Sequence, residues 1–256
     1  MSRVLVVVSH ADELAFHIGG TIAGWAAGGH EIFQAVTTTG ARASFVLDKG
    51  ALEVILRREA RRSAALMGLQ DVFFWDYDDG LLHEGRVLEI QERLIALVRH
   101  LRVDTVFGFD PWSPRDYHPD QLITGKATFW AAYFSGFPQI APHQRDLGLE
   151  PCMIADQYYF AYHPEGDGLE AIDITATIEQ KIEAVLAFES QMQWCADIAI
   201  AQRRCRGLPT DDIDRDNYGP TIAAQVREEA ARRGKRHGLA YAEVLRHIAA
   251  GGTMLT

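Results

Sequence analysis

Residues 4–8 (VLVVV) form an unbroken apolar run, mostly of β-branched side chains, and no other segment restricts the fold as strongly. The run is too short for a helix and suits a strand that is buried on both faces of a sheet. Gly19 and Gly20 then lead into residues 21–27, which have the spacing of a helix. A strand buried on both faces needs helices on both sides of its sheet, so the start of the chain predicts an α/β protein.

The alternation of strand and helix continues along the chain. Further strand candidates cover residues 31–37, 71–77 and 104–109, and segments with helical spacing cover residues 52–67, 87–101 and 122–133. Strands that alternate with helices form parallel sheets through crossover connections. The pattern therefore predicts a Rossmann-like, doubly wound α/β fold, with a mostly parallel sheet and helices on both faces.

The second half of the sequence is less regular. A strand candidate at residues 156–163 is followed by a helical segment at 175–191 and by a charged helical region at 218–250. No internal repeat or linker divides the sequence. We therefore predict a single domain over residues 1–256. Its core covers about residues 1–192, and a helical C-terminal extension covers about residues 193–256.

Composition excludes several classes of protein. The net charge of -10 and the pI of about 5.4 are not the balance of a nucleic-acid-binding protein. The three cysteines are widely spaced and include no CxxC pair, which indicates a reducing compartment. The sequence shows neither an apolar leader nor a run long enough to span a membrane. We expect a cytoplasmic protein that acts on a small molecule, without nucleic acid or membrane as a partner; a homo-oligomer is compatible with the sequence.

Three side chains that can hold a metal or move a proton lie where the first strand gives way to the first helix. They are His10, Asp12 and Glu13. Open α/β sheets bind ligands at the carboxyl ends of their strands. A catalytic zinc takes three protein ligands and leaves a position for water, whose proton a nearby carboxylate can accept. The segment is therefore a candidate for a metal-dependent site; the alternative is an ordinary loop, in which short strings of histidine and acidic residues are common.

A second polar segment, residues 116–121 (DYHPDQ), follows a later strand and places His118 and Gln121 at a helix start. Taken alone, it is typical of a helix-capping sequence with Asp120 as the cap. Because both polar segments follow strands, one sheet can bring them together. His163, at the end of another strand candidate, is a third candidate, either as a catalytic acid or as a structural histidine.

Together these segments resemble the LmbE-like or PIG-L deacetylase family. The family's first motif is an apolar strand followed by A-H-P-D-D-E, and residues 9–14 (SHADEL) are in register with it. Its second motif is H-P-D-H, which residues 118–121 (HPDQ) match. Residues 57–69, 79–80 and 172–191 also resemble family segments in the same order, so the resemblance covers most of the chain.

The resemblance implies a Rossmann-like fold and a divalent metal, usually zinc, that activates water to remove an acyl group from an amine. The metal ligands would be His10, Glu13 and Gln121, and Asp12 would be the general base. His118 would stabilise the developing oxyanion or protonate the leaving group. The substrates of the family are typically N-acetylated sugars and sugar-linked thiols.

Four positions depart from the family motifs. Glu13 replaces a ligand aspartate, Gln121 replaces a ligand histidine, Ala11 replaces a proline and Leu14 replaces an acidic residue. An amide oxygen is a harder and weaker donor for zinc than an imidazole. Metal affinity should therefore fall, and iron, cobalt or manganese become alternatives to zinc.

We therefore expect a metal-dependent hydrolase that cleaves an N-acyl amide bond of a small polar metabolite, with metal-bound water as the nucleophile. Arg42, Arg57 and Asp79 are candidates for substrate contact. One alternative is a metal-dependent hydratase or lyase of an unsaturated carboxylate in aromatic-compound catabolism, an activity that the family includes. That hydratase lacks the general-base aspartate, whereas Asp12 is present here; His163 could be the acid in either reaction. A further alternative is a metal-free, non-catalytic member of the family.

Overall fold

The computed structural model describes residues 1–116 and 118–249, and its strands form one seven-stranded sheet. The strands are β1 (Arg3–Val8), β2 (Glu31–Thr38), β3 (Asp71–Tyr77), β4 (Thr105–Phe109), β5 (Asp156–Phe160), β6 (Leu169–Asp173) and β7 (Ala242–Ala249). Their order in the sheet is β3-β2-β1-β4-β5-β7-β6. Strands β1 to β5 are parallel, and β7 is antiparallel to both of its neighbours. The predicted mostly parallel α/β fold is confirmed.

Helices cover both faces of this sheet. They are α1 (Glu13–Ala27), α2 (Lys49–Met67), α3 (Val87–Leu101), α4 (Pro119–Phe134), α5 (His143–Asp146), α6 (Ile178–Leu186), α7 (Glu189–Cys205) and α8 (Gly219–Lys235). Val4, Val6 and Val8 of β1 pack in a core with α1, α2 and α6, while Leu5 and Val7 pack in a second core with α3 and α4. This burial on two faces explains the unbroken apolar run in β1. No helix of the described residues is long and apolar enough to cross a bilayer.

The C-terminal region contains a strand that the spacing of residues 218–250 does not predict. Helices α7 and α8 occupy about half of the region predicted to be a helical extension, and the segment after α8 contains β7, which lies between β5 and β6. Its backbone pairs on both sides with segments far away in the sequence. Local periodicity does not encode such pairing, because strand formation depends strongly on neighbouring strands.

Helix α1 is interrupted at Ile18, whose φ of -133° and ψ of 15° are not helical. Glu243 on β7 accepts two backbone N–H groups just after the break, at 3.1 and 2.8 Å. Lys181 on α6 donates to Glu243 (Nζ–Oε1 2.5 Å) and to the backbone carbonyl of His17 (3.3 Å). A buried ion pair therefore satisfies the backbone groups on both sides of the break.

The sheet winds in two directions from its centre. After β1 the chain passes to β2 and β3 on one side, and then crosses back to β4 on the other side of β1. The loops that follow β1 and β4 therefore separate at the carboxyl edge of the sheet and leave a crevice, where sheets of this type bind ligands. Both polar segments singled out in the sequence lie at this crevice.

Candidate metal centre

The loop after β1 and the start of α4 meet at the crevice. The rings of His10 and His118 lie edge to face, with centroids 4.7 Å apart. His118 is the N-cap of α4, because its Nδ1 accepts the backbone N–H of Asp120 at 3.3 Å. The two segments therefore belong to one site, and the capping role falls to His118 rather than to Asp120.

The three side chains predicted as metal ligands lie together, and two of them, His10 and Gln121, contact the same carboxylate oxygen of the third, Glu13. His10 Nδ1 lies 2.8 Å from Oε1 of Glu13, and Gln121 Nε2 donates to the same oxygen at 2.8 Å. Ser9 donates to the Glu13 carboxylate through its backbone N–H (2.8 Å) and its hydroxyl (2.6 Å). Burial alone would raise the pKa of Glu13, but the charge of His10 and these hydrogen bonds outweigh it and lower the pKa to about 2.

Gln121 carries an unsatisfied acceptor. Its side chain is buried, and among the described residues its Oε1 has no hydrogen-bond partner. Its Nε2, in contrast, donates to Glu13 and reaches the hydroxyl of Tyr162 at 3.3 Å. A buried carbonyl oxygen is seldom left without a partner, so this atom indicates a place for a cation or a donor from a bound molecule.

The opposite edge of His10 faces two buried carboxylates. Its Nε2 lies 3.1 Å from Asp79 Oδ1 and 3.4 Å from Asp120 Oδ2. Asp120 also accepts two backbone N–H groups of the loop after β3 (2.7 and 3.0 Å), and Asp79 accepts the backbone N–H of Arg42 (2.9 Å). Asp120 therefore holds this loop against α4, Asp79 connects it to the loop after β2, and both carboxylates fix the orientation of the His10 ring.

Two sets of potential ligand atoms thus surround His10. On the Nε2 side, His10, Asp79, His118 and Asp120 offer atoms that all lie within 4.8 Å of one another. On the Nδ1 side are Glu13 and Gln121. We favour the Nδ1 side, because the buried oxygen without a partner among the described residues belongs to Gln121. A histidine that binds a metal commonly donates its other ring N–H to a carboxylate.

Asp12 lies next to the predicted ligands, immediately before α1, and lines the same cavity as Glu13. Its side chain makes no capping hydrogen bond to the helix. Burial raises the pKa of Asp12 to about 6, with the charge of His10 opposing this shift and that of Glu13 adding to it. The carboxylate is therefore mostly ionised at neutral pH and more basic than an ordinary aspartate, as a general base should be.

Two adjoining cavities open at the site and share the side chains of Phe16, His17, His118, Gln121 and Tyr162. The first, which we call the α1 lobe, has a volume of about 460 Å³ and is the one that also contains His10, Asp12, Glu13, Arg42 and Trp194. The second, which we call the α8 lobe, has a volume of about 550 Å³ and also contains Asp116, His163, Val226, Glu229 and Arg233. The candidate metal centre therefore lies where two lobes meet, each of a size that suits a small molecule.

The residues predicted to contact substrate are placed differently. Arg42 and Asp79 line the α1 lobe. Arg57 lines neither lobe; its guanidinium lies over the ring of Phe74, 4.9 Å from the centroid, and donates to Glu53 at 2.9 Å. A direct contact between Arg57 and a substrate in these cavities therefore has no support in the described residues.

Tyr162 is a site residue that the sequence did not single out, although its neighbour His163 was predicted to be catalytic. The ring of Tyr162 lies in the wall of both lobes, and its hydroxyl reaches Gln121. His163 is exposed and lines only the α8 lobe. Both residues lie beyond the end of β5 at Phe160, where the alternation of side chains along a strand no longer applies.

His17 lines both lobes and gives the protein a pH-dependent stability. Its ring stacks on Phe160 (centroids 5.2 Å apart), and burial lowers its pKa from 6.5 to about 3. Below pH 6.5 the unfolded chain therefore binds a proton that the folded protein excludes, so this group destabilises the fold as the pH falls. We expect a loss of about 2 kcal/mol in the free energy of unfolding between pH 8 and pH 5 from His17 alone.

Urea unfolding of the wild type and of His17→Phe at both pH values measures this effect. The variant should lose about 2 kcal/mol less than the wild type over the same interval. His237→Phe, which replaces an exposed histidine, is the control and should follow the wild type. Equal losses in wild type and His17→Phe would show that His17 takes up its proton in the folded protein.

Comparisons with known proteins identify the family of the chain. The family model described as GlcNAc-PI de-N-acetylase (PIG-L) matches residues 5–132, half of the 256-residue chain. The chain belongs to the PIG-L family. Its site is a divergent version of the PIG-L motifs, because a glutamate and a glutamine stand at two of the three predicted ligand positions.

Individual members of the PIG-L family match over most of the chain. Diacetylchitobiose deacetylase of Thermococcus kodakarensis is 29% identical over 194 residues, which are 75% of this chain and 70% of that protein. The structure of N,N'-diacetylchitobiose deacetylase from Pyrococcus horikoshii is similar with a TM-score of 0.78 and 27% identity, over 97% of this chain and 84% of that one. These relationships confirm the prediction of an enzyme, a hydrolase of the deacetylase type that acts on C–N amide bonds.

The fold is also shared with an enzyme of a different reaction class. The structure of GalB, the 4-carboxy-2-hydroxymuconate hydratase from Pseudomonas putida KT2440, aligns over 100% of both chains with a TM-score of 0.70 and 18% identity. At that identity the similarity concerns the fold alone. It therefore gives no information about the reaction of this PIG-L family member.

Proposed function

We propose that this protein is a divalent-metal-dependent deacetylase that removes a small acyl group from an amino group of a small polar metabolite. The observation that carries the proposal is the convergence of His10, Glu13 and Gln121 beside Asp12, with a buried oxygen of Gln121 left without a partner among the described residues. The relatives that act on diacetylchitobiose support an N-acetylated amino sugar as the substrate.

The residues present fit a divalent cation. His10 Nδ1, a carboxylate oxygen of Glu13 and Oε1 of Gln121 would hold it, while Asp79 and Asp120 receive the other ring N–H of His10. When bound, such a cation lowers the pKa of a water molecule and polarises an amide carbonyl. One imidazole and two oxygen donors are compatible with zinc, the usual metal of the family, and with iron, cobalt or manganese.

The acid–base chemistry falls to side chains that lie around this centre. Asp12, with a pKa of about 6, accepts the proton of the attacking water. His118 lies edge-on to His10 in the wall shared by the lobes, from which it can protonate the departing amine or stabilise the oxyanion. His163 lies further out, at the α8 lobe, and is a weaker candidate for an acid.

Hydration of an unsaturated carboxylate is the alternative reaction that the family resemblance leaves open. The presence of Asp12 favours hydrolysis instead, because the hydratase of this family lacks the corresponding aspartate. The products distinguish the two. Hydrolysis releases a primary amine and a carboxylate, whereas hydration removes a conjugated double bond without releasing an amine.

Metal binding tests the ligand set. Purified protein incubated with zinc, iron, cobalt or manganese should retain about one equivalent of one of them. Replacement of the amide by an imidazole in Gln121→His should tighten zinc binding about tenfold or more, since imidazole is the better zinc ligand. Gln202→His, which adds an imidazole on an exposed position of α7, is the control and should leave affinity unchanged.

Each outcome of the metal-binding experiment leads to a different conclusion. Retention of less than about a tenth of an equivalent of every metal would refute metal-dependent catalysis and favour a non-catalytic family member. Metal binding with unchanged or weaker zinc affinity in Gln121→His would remove Gln121 from the ligand set. Release of a primary amine from N-acetylated amino sugars, measured with the metal-loaded protein, tests the reaction itself.

A further inference from the structure

The α8 lobe contains a buried carboxylate that the proposed deacylation does not use. Asp116 is 4% exposed, and neither of its carboxylate oxygens has a hydrogen-bond partner among the described residues. Its side chain contributes to the wall of the α8 lobe and not to that of the α1 lobe. A buried carboxylate without a partner is strongly unfavourable in a protein interior, so a bound group is expected to supply the partner.

The other charged side chains of this lobe are already paired. Lys181 pairs with Glu243, Arg115 pairs with Glu165, and Arg232 and Arg233 both donate to Glu229. Among the Asp, Glu, Lys and Arg side chains in the described part of the wall, Asp116 is therefore the one without an ion pair or a hydrogen bond, although Glu229 is shared by two arginines. The basic side chains of the lobe contact other acidic side chains, and what Asp116 lacks is a positively charged donor of hydrogen bonds.

A protonated amine has the chemistry that this position needs. It carries one positive charge and up to three N–H donors, and the Asp116 carboxylate offers two acceptor oxygens. The unpartnered Nε2 of buried His17 lies in the wall of the same lobe and adds a further polar atom. A hydroxyl group would satisfy the hydrogen bonds of Asp116 but would leave its charge buried without compensation.

We propose that the α8 lobe is a subsite for a protonated amine and that Asp116 binds it. If the chain deacylates amines as proposed above, its substrate is then an N-acylated amine that carries a second, free ammonium group. The lobes meet at His118, Gln121 and Tyr162, so one molecule can place its amide at the candidate metal centre and its ammonium group beside Asp116.

A matched pair of substrates tests the subsite. The monoacetylated diamines with three to five methylene groups are compared with N-alkylacetamides in which a methyl group replaces the ammonium group. For the best chain length, we expect kcat/KM to be about 10- to 100-fold higher for the charged member, as a hydrogen bond to a charged group suggests. Asp116→Asn should abolish this preference, and Asp116→Glu should keep part of it.

Direct binding separates the subsite from the reaction. Titration of the unacetylated diamines into the protein by calorimetry should show binding that weakens about tenfold or more in Asp116→Asn. Asp211→Asn, which makes the same change at an exposed position lining neither lobe, should bind like the wild type. Diamine binding that depends on Asp116 in a protein without amide hydrolysis would support the subsite and refute the proposed function.

The opposite pattern is equally informative. Hydrolysis of charged and neutral amides at equal rates, with diamine affinity unaltered by Asp116→Asn, would refute the subsite and leave the deacetylase proposal intact. A thermal unfolding curve of each variant shows that it is folded before its kinetics are compared. If Asp116→Asn does not fold, Asp116→Glu tests the subsite. This variant keeps the negative charge, so it should keep part of the preference for the charged substrate.

Discussion

Asp12→Asn is expected to lower kcat for amide hydrolysis by about 10²- to 10⁴-fold, which is the usual contribution of a general base. The amide of asparagine fills the same space but cannot accept a proton from water. Because Asp12 is not among the converging ligand atoms, the variant should bind metal as tightly as the wild type. Steady-state kinetics with the metal-loaded proteins, together with metal analysis of the same samples, measure both quantities.

The control for this variant is Asp211→Asn, which makes the same chemical change on the exposed surface and should retain full turnover. Two results would contradict the role of Asp12. Equal turnover in Asp12→Asn would show that another group takes the proton. Loss of metal in parallel with activity would place Asp12 among the ligands instead.

Lys181→Met should cost about 3–5 kcal/mol in the free energy of unfolding, because it leaves a buried charge without its partner. Lys181 and Glu243 are both almost fully buried, with side-chain exposures of 6% and 2%, and their charged atoms lie 2.5 Å apart. Removal of the ammonium group leaves the Glu243 carboxylate with backbone and hydroxyl donors of α1 but no cation. Urea unfolding at pH 7 measures the loss.

A second substitution distinguishes charge from packing in this prediction. In Lys181→Met combined with Glu243→Gln, both charges are gone and the glutamine oxygen can still accept from α1, so part of the lost stability should return. Arg62→Met breaks an exposed ion pair with Glu189 and should cost less than about 1 kcal/mol. If Lys181→Met costs no more than Arg62→Met, the buried pair contributes little to the fold.

The central sheet could be predicted from the sequence because its signals are local. The apolar run in β1 and the alternation with helices predict parallel strands, and the structure has them. Strand β7 could not be predicted in the same way. Its neighbours in the sheet, β5 and β6, lie about 70 to 90 residues earlier, and only the first half of β7 is fully buried.

The sequence predicted which residue types of the candidate site lie at the ends of strands, but it did not predict the contacts that their side chains make. Two short motifs were enough to bring His10 and His118 together, because parallel strands end at one edge of the sheet. The bonds from His10 to Asp79 and Asp120 span 69 and 110 residues of sequence, and no local pattern indicates them. Whether Tyr162 or His163 faces the site depends on where β5 ends. The sequence predicted a strand over residues 156–163, whereas β5 ends at Phe160, and strand boundaries are difficult to predict from sequence.

The location of β7 has a consequence for biosynthesis. Helix α1 starts at the candidate metal centre, and Glu243, some 220 residues later in the chain, accepts the backbone N–H groups that follow its break. Glu243 lies on β7, which must insert between β5 and β6. A nascent chain on the ribosome therefore exposes an open edge on β5 until residue 249 has emerged. Formation of the capped helix α1, and with it of the proposed cation site, should accordingly wait until β7 has emerged from the ribosome.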